Sequence, residues 1–279
     1  MSKCDYARLR DRALLQISGN DAEKLLQGIV TCDVEELKTG TANFGALLTP
    51  QGKVLFDFFL IRTTNGFLID IDASLAEDFV KRLNFYKLRA DVTIENAADE
   101  LEVYAIWNGE PDDIDGIEAI DPRLSAMGSR LYGQHAPEGN ESDYNAHRIE
   151  LGIPEGGKDY EYGKVFPHEV LMDQFGGIDF AKGCYVGQEV VSRMQHRGKI
   201  RTRMLGVRSD ENLPAFGTEI RAAGKPAGNM GSSSGQAGLA LLRMDRVHSA
   251  MDKDETIVAG DHALTVKIPE FVNFGWPQD

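Results

Sequence analysis

No stretch of this 279-residue chain approaches the ~20 consecutive apolar residues that a membrane helix needs. The first residues, Met1-Ser2-Lys3-Cys4-Asp5-Tyr6, hold no apolar signal-peptide core and no Arg/Ser-rich transit segment, so the expected location is cytoplasmic. Cysteine is scarce. The three present, Cys4, Cys32 and Cys184, are odd in number, far apart and without a C-x-x-C pair. That excludes a disulfide framework and a zinc site readable from spacing. It also leaves the chain short of the four thiolates that usually hold an iron–sulfur cluster, so any cluster would be shared with a partner. The six histidines show neither H-E-x-x-H nor H-x-H spacing, and no metal site of the chain's own is expected. Positive charge is in deficit: 30 Lys and Arg face 44 Asp and Glu, a net charge of −14, which argues against general nucleic-acid binding. No Gly-Lys-Ser/Thr follows the glycine- and serine-rich run at Gly231–Gly235, so it is not a phosphate loop. No repeat of about twenty to fifty residues is present.

The rest of the composition, 42% hydrophobic and 27% charged, is that of a soluble globular protein with room for one large domain or two to three small ones. Asn20 with Glu23 predicts a capped helix start, and Leu25, Leu26 and Ile29 give that helix an apolar side. Phe44 to Thr49, Val54 to Arg62 and Phe67 to Asp72 read as strands, the last two joined by a hairpin at Asn65-Gly66. Ser74 with Glu77 predicts a second capped helix, on which Leu75, Phe79 and Leu83 recur every four residues. Ala90 to Glu95 and Leu101 to Trp107 continue the strands. Antiparallel hairpins with helices laid on them are the α+β pattern. Asn108 to Arg123 is acidic, without EF-hand spacing, and reads as a solvated connection or short edge strand. From Arg201 onward, short strands at Arg203 to Arg208, Thr218 to Ala222, Gly238 to Arg243 and Ala263 to Ile268 alternate with glycine-rich turns, which predicts a small barrel.

Three places carry candidate chemistry. Asp57 sits in a strand that is otherwise nearly all apolar, where a carboxylate needs either an ion-pair partner such as Arg89 or a ligand. Arg148 and Glu150 are two apart, which puts them on one face if their segment is a strand. The third is Lys182-Gly183-Cys184-Tyr185-Val186-Gly187-Gln188-Glu189. Val186, Val190 and Met194 recur with helical period behind it, so Cys184 is expected at or just before a helix start. The helix dipole and Lys182 would there favour a thiolate; the competing reading is a small buried cysteine.

This last segment resembles the signature of the YgfZ family, folate-binding proteins related to the glycine-cleavage T-protein, an aminomethyltransferase. The resemblance continues through Val190 to Lys199. It takes in Arg148-Ile149-Glu150-Leu151-Gly152-Ile153-Pro154, Phe166-Pro167-His168-Glu169 and Leu47 to Asp57, in the family's order over most of the chain. It implies a T-protein-like α+β fold, with two interleaved lobes of antiparallel sheets and a C-terminal β-barrel around a central folate-sized cavity. Residues 1–45 with 122–200 would form the first lobe, 46–121 the second and 201–279 the barrel. It further implies tetrahydrofolate or a derivative as ligand, held by Asp57, Arg148, Glu150, Glu169, Tyr185 and Gln188. In the T-protein an aspartate at the place of Asp57 contacts the reactive part of the folate. The implied role is a folate-dependent accessory factor for assembly or repair of [4Fe–4S] clusters, with Cys184 and Lys182 as the reactive pair and client enzymes and cluster-assembly proteins as partners. Such a factor would not be a classical turnover enzyme. The alternatives are a tetrahydrofolate-dependent aminomethyltransferase, and a folate-binding module with a structural thiol. The basic run Arg193, Arg197, Lys199, Arg201 and Arg203 is either a solvated strand face or a site for a folate glutamate tail or a partner's acidic surface.

Overall fold

The computed structural model describes residues 4–97, 101–109, 114–134, 136–137, 139–198 and 200–277. The chain forms two compact units, one of Met1–Tyr144 with Phe175–Gln188, the other of Asn145–Gln174 with Glu189–Asp279.

The first unit begins with β1 (Asp5–Arg8), β2 (Arg12–Ser18), α1 (Ala22–Ile29), β3 (Ala42–Leu48), β4 (Val54–Thr63) and β5 (Gly66–Asp72). After α2 (Ala76–Lys87) come β6 (Thr93–Asn96), β7 (Glu102–Trp107), β8 (Gly116–Ile120) and β9 (Ser129–Gly133). A five-stranded antiparallel sheet, ordered β3-β4-β5-β2-β6, carries α1 and α2 on one face, because alternate residues of β4 point there. Phe56 and Phe58 meet Phe79 of α2 with ring centroids 5.2 and 5.4 Å apart, within a core that also takes in Leu26, Ile29 and Leu83. A second antiparallel sheet is ordered β1-β7-β9-β8. Its edge strand β8 comes from the acidic stretch read as a connection or edge strand; Glu110 to Asp113 lie outside the described residues.

The other unit holds most of α3 (Glu141–Leu151) and α4 (Gln188–Arg197). It continues with β10 (Thr202–Arg208), β11 (Glu219–Ala222), β12 (Lys225–Ser234), β13 (Ala237–Arg243), α5 (Met244–Asp252), β14 (Ile257–Ala259), β15 (His262–Ala263) and β16 (Thr265–Lys267). Its antiparallel sheet, ordered β15-β14-β11-β12-β13-β10-β16, forms a nearly closed barrel around Leu205, Ile220, Ala240, Leu242 and Val247.

Four local expectations are corrected. The α1 start has no side-chain cap, and Glu23 instead pairs with Arg62 across the sheet. The α2 start has no side-chain cap either: Asp72 accepts the Ser74 N–H at 2.8 Å and so caps the short 3-10 turn, Ala73–Leu75, that leads into the helix. Arg148 and Glu150 lie on a helix, where a spacing of two turns side chains to opposite sides rather than to one face. The basic run is no strand face: Arg193 and Arg197 belong to α4, Lys199 lies outside the described residues, and Arg203 is buried against Asp173 at 2.6 Å.

Candidate functional site

The site is built around the loop that carries Cys184. Residues 30–32 extend the edge of β3: Val30 bridges Leu47, and Thr31 N–H donates to Ala46 O at 2.9 Å. Onto this edge the later segment docks. Thr31 Oγ1 donates to Gly177 O at 2.6 Å and Asp179 N–H to Thr31 O at 2.9 Å. The Asp179 carboxylate then accepts the N–H groups of Ala181 (2.6 Å) and Lys182 (2.9 Å), which turns the chain. Lys182 is 8% exposed, and its ammonium donates to Val30 O at 2.9 Å and Cys32 O at 2.6 Å. The same nitrogen stands 5.6 Å from the centre of the Tyr185 ring. Burial lowers the Lys182 ammonium below its usual range, against the pull of nearby acidic groups.

Beyond Cys184 the loop is anchored again. Val186 packs on the core of the first unit. Gly187 holds φ +82°, and a Cβ there would stand 2.7 Å from Thr49 O, so only glycine fits the approach. Gln188 N–H donates to Tyr185 O at 3.2 Å, and the Gln188 side chain reaches Gly183 O at 3.4 Å. Between the Lys182 and Gly187 anchors, Cys184 is exposed. Tyr185 is 7% exposed, and its buried hydroxyl has no hydrogen-bond partner among the described residues. Burial, with the Asp179 charge, pushes that phenol up to about 12.

The thiol therefore does not open a helix. The α4 helix starts four residues later, past the Gly187 turn, and the Lys182 charge is spent on two carbonyls. What the loop supplies is access. The other thiols contrast with it: Cys32 is 1% exposed with its thiol pushed up to about 12 by burial, and Cys4 Sγ lies 3.4 Å from Trp107 O. Gly45 makes room for Cys32, since a Cβ at residue 45 would meet its sulfur at 2.5 Å.

Asp57 is 4% exposed and lies on the face of β4 opposite the helices, sharing it with Phe59. Arg89, its suggested partner, is exposed after the end of α2. The same sheet face holds a buried ionic layer that the sequence reading missed. Asp70 accepts Arg12 Nε at 2.6 Å and Tyr132 Oη at 3.2 Å, and it also pairs with Arg130. Arg130 lies 3.7 Å above the Phe59 ring. Arg123 pairs with Asp121 at 2.7 Å, and the Tyr144 hydroxyl accepts from Arg123 at 3.1 Å and Arg130 at 3.2 Å. Burial alone would raise the Asp70 carboxyl, but the Arg12 and Arg130 guanidiniums outweigh it and hold it below its ordinary range. The signal was present: Leu68-Ile69-Asp70-Ile71 sets a carboxylate in an apolar strand, as around Asp57.

In the other unit the candidates separate. Arg148 is fully buried, donating to Asp159 (2.6 Å), Ser232 (3.0 Å), Asn145 (2.9 Å) and Ile153 O (3.1 Å), with Glu155 at 3.2 Å. Glu150 is exposed and pairs with Arg208 on the surface. The Glu169 carboxylate accepts Phe166 N–H at 2.8 Å and so starts a short turn. Against the chemistry of a pterin, which offers ring donors and acceptors, Asp57 and the Tyr185 hydroxyl fit. Arg148, satisfied by protein, and Glu150, at the surface, do not.

Comparison with known proteins agrees with this architecture. Residues 10–110 match the family described as the GCVT N-terminal domain, and residues 201–274 the CAF17 C-terminal beta-barrel domain. The iron–sulfur cluster assembly factor IBA57, mitochondrial, of Mus musculus is 31% identical, covering 97% of this chain and 85% of that protein. The protein of the same name in Homo sapiens gives the same figures, 31%, 97% and 85%. The IBA57 homolog of Pyricularia oryzae is 34% identical over 86% of this chain and 72% of its own. The solved glycine cleavage system aminomethyltransferase T of Bartonella henselae superposes with a TM-score of 0.75, covering 97% of this chain and 87% of that one; at 14% identity this likeness shows the fold alone. Two expectations change. The relatives are named as mitochondrial proteins, which overturns the cytoplasmic location, and they carry the name IBA57 rather than YgfZ. With such identity over nearly the whole of both chains, this chain belongs to the IBA57 family of iron–sulfur cluster assembly factors, related to the glycine-cleavage T-protein.

Proposed function

We propose that this protein is an accessory factor in iron–sulfur cluster assembly that acts in the mitochondrion and offers Cys184 as one ligand of a transient cluster, the others coming from a second chain or a small thiol. The observation that carries the reading is the exposed Cys184 on a loop pinned at Lys182 and at Gly187. Thiolate is the preferred ligand of cluster iron. A thiol held at the tip of an anchored loop reaches a partner without the ordering cost of a mobile segment. Cys32, buried behind Gly45, does not join it. The names of the relatives support the same role, and [4Fe–4S] client enzymes and cluster-assembly proteins are the partners it calls for.

We further infer that tetrahydrofolate or a derivative is a ligand, with Asp57 and Tyr185 as the groups that hold it and Gln188 on the same loop as Tyr185. The support is the T-protein fold, a buried carboxylate in an apolar strand and a buried hydroxyl that finds no partner among the described residues. A bound reduced folate would supply a one-carbon-carrying pterin. Lys182 positions the thiol loop and touches neither ligand.

The decisive experiment compares wild type and Cys184→Ala in cells lacking the protein, reading the activity of [4Fe–4S] enzymes. The expected result is loss of those activities with tetrahydrofolate affinity unchanged by calorimetry. Full restoration by Cys184→Ala, or cleavage of a methylated glycine by the pure protein at enzyme-like rates, would replace this reading with an aminomethyltransferase.

A further inference from the structure

The inner side of α2 is settled, with Phe79 and Leu83 buried and Tyr86 packed on the same core. Its outer side is not. Arg82 and Phe85 are three apart on the outer side of the last turns of the helix, and the exposed Arg89 follows in the turn after it. Phe85 is 70% exposed and Leu88 85% exposed; among the described residues Ile120, at 71%, is the one other large apolar side chain so open. The turn is closed by Ala90 N–H donating to Lys87 O at 2.8 Å. Leu88 stands at its second position with φ 46° and ψ −102°. That is the type II′ position, which glycine normally takes because a Cβ is strained there. A leucine at this place carries backbone strain and exposed apolar surface together, a pairing that marks functional sites.

Charge gathers at the same spot. Lys81 is occupied by Glu77 at 3.0 Å and Asp78 at 3.1 Å, but the side chains of Arg82, Lys87 and Arg89 make no ion pair with any described residue. Three cations around two exposed apolar side chains stand out on a chain of net charge −14. Aromatic residues and arginine are the side chains enriched where protein interfaces concentrate their energy. A lipid surface fits less well. Polybasic membrane sites gather about four to eight cations, and the chain's negative charge opposes anionic lipid at long range.

We propose that the end of α2 is a docking surface for an acidic protein partner, which would receive Phe85 and Leu88 in apolar recesses and set carboxylates against Arg82, Lys87 and Arg89. The proposal rests on the reading that a second chain completes the cluster at Cys184, and it assigns that chain an acidic, apolar-pitted face.

The test exploits the strain. Leu88→Gly is expected to raise the Tm of the isolated protein by about 2–4 °C, since relieving the backbone outweighs the loss of an exposed side chain. The Cys184 alkylation rate should not change, yet [4Fe–4S] enzyme activity in cells should fall. Arg82→Glu with Arg89→Glu should lower that activity as well. A benzophenone amino acid at position 85 should cross-link an acidic cluster-handling protein, and the yield should drop about tenfold with the double charge reversal. The same probe at the exposed Phe216 should not capture it. Vesicles of phosphatidylcholine and phosphatidylglycerol should not bind the protein. Wild-type client activity for Leu88→Gly and for the charge reversal, an unchanged Tm for Leu88→Gly, or vesicle binding lost on Phe85→Ser would each overturn the proposal. If Cys184→Ala restores the client enzymes in full while the α2 variants do not, the docking surface stands and the cluster reading at Cys184 falls.

Discussion

Asp70 in the first unit and Arg148 in the second solve opposite versions of one problem. Asp70 is a single buried anion serving two guanidiniums, Arg12 and Arg130, whereas Arg148 is a single buried cation serving two carboxylates, Asp159 and Glu155. Around Asp70 the neighbours that remain are aromatic, with Phe59 beneath Arg130 and Tyr132 donating to the carboxylate. Around Arg148 they are backbone, hydroxyl and amide: Ile153 O, Ser232 and Asn145 take its hydrogens, while Asp159 also accepts Ser232 N–H at 2.7 Å, the Ser232 hydroxyl at 2.5 Å and Glu155 N–H at 2.8 Å. The difference teaches that removing the central group leaves unlike remnants. Without the Asp70 carboxylate, two buried cations face each other with no counter-ion between them, Arg12 left with the residue 70 carbonyl and Arg130 with the Tyr144 hydroxyl. Without Arg148, Asp159 keeps three donors.

Four changes would break or sharpen this contrast. The largest effect is expected for Asp70→Asn, a loss of about 3–5 kcal/mol, the usual result of stripping one partner from a buried ion pair; urea unfolding measures it. The same carboxylate sets an acid limit. Its folded pKa lies below the unfolded value, so its contribution is fully present above about pH 4 and is lost as pH falls through the folded pKa. Urea midpoints from pH 6 to pH 2 should show this leg in wild type and lose it in Asp70→Asn. Next comes Arg148→Met, which should cost less than Asp70→Asn by at least ~1 kcal/mol because Asp159 is still hydrogen-bonded and Glu155 keeps its pair with Lys158 at 3.0 Å. An equal or larger loss would erase the contrast. Lys182→Met should cost about 1–3 kcal/mol for two carbonyls left without a donor. It should also change the Cys184 alkylation rate, which Asp70→Asn under native conditions should not. The smallest effect belongs to Cys184→Ala, within about 0.5 kcal/mol of wild type as an exposed substitution. In timed alkylation of the native protein with mass-spectrometric mapping, Cys184 should react first and Cys32 last; early labelling of Cys32 would contradict the burial that Gly45 accommodates.

The parts of this molecule readable from its sequence are those governed by local period and composition. The nearly unbroken apolar run of β4, the recurrence of Leu75, Phe79 and Leu83 every four residues and the turn-rich barrel each describe one element at a time, and each appears where expected. The errors share a different cause. Arg148-Ile149-Glu150-Leu151 alternates polar and apolar like a strand, yet it is the last turn of a helix that Gly152 ends at φ +82°. Val186 fits the period of α4 but precedes it, because Gly187 breaks the chain there against Thr49. Sequence proximity pairs Lys182 with the cysteine two residues away, whereas its ammonium reaches Val30 and Cys32, which no short window of sequence contains. Local rules fail where a residue's partner is remote, and the candidate site is made largely of such residues.

That remoteness has a consequence for when the thiol is displayed. The bonds from Lys182 to Val30 and Cys32 span 152 and 150 positions. Contacts of such separation form late, since the chain between them must be ordered before the loop entropy is recovered. During synthesis the segment that forms the edge of β3 is made long before Lys182, so its last strap comes only with the end of the same unit. The thiol can be held at its anchored position only once this last strap has closed on the edge. Presentation of Cys184 in that geometry therefore reports that the first unit is finished, and a nascent or misfolded chain would carry the same cysteine without the platform that aims it.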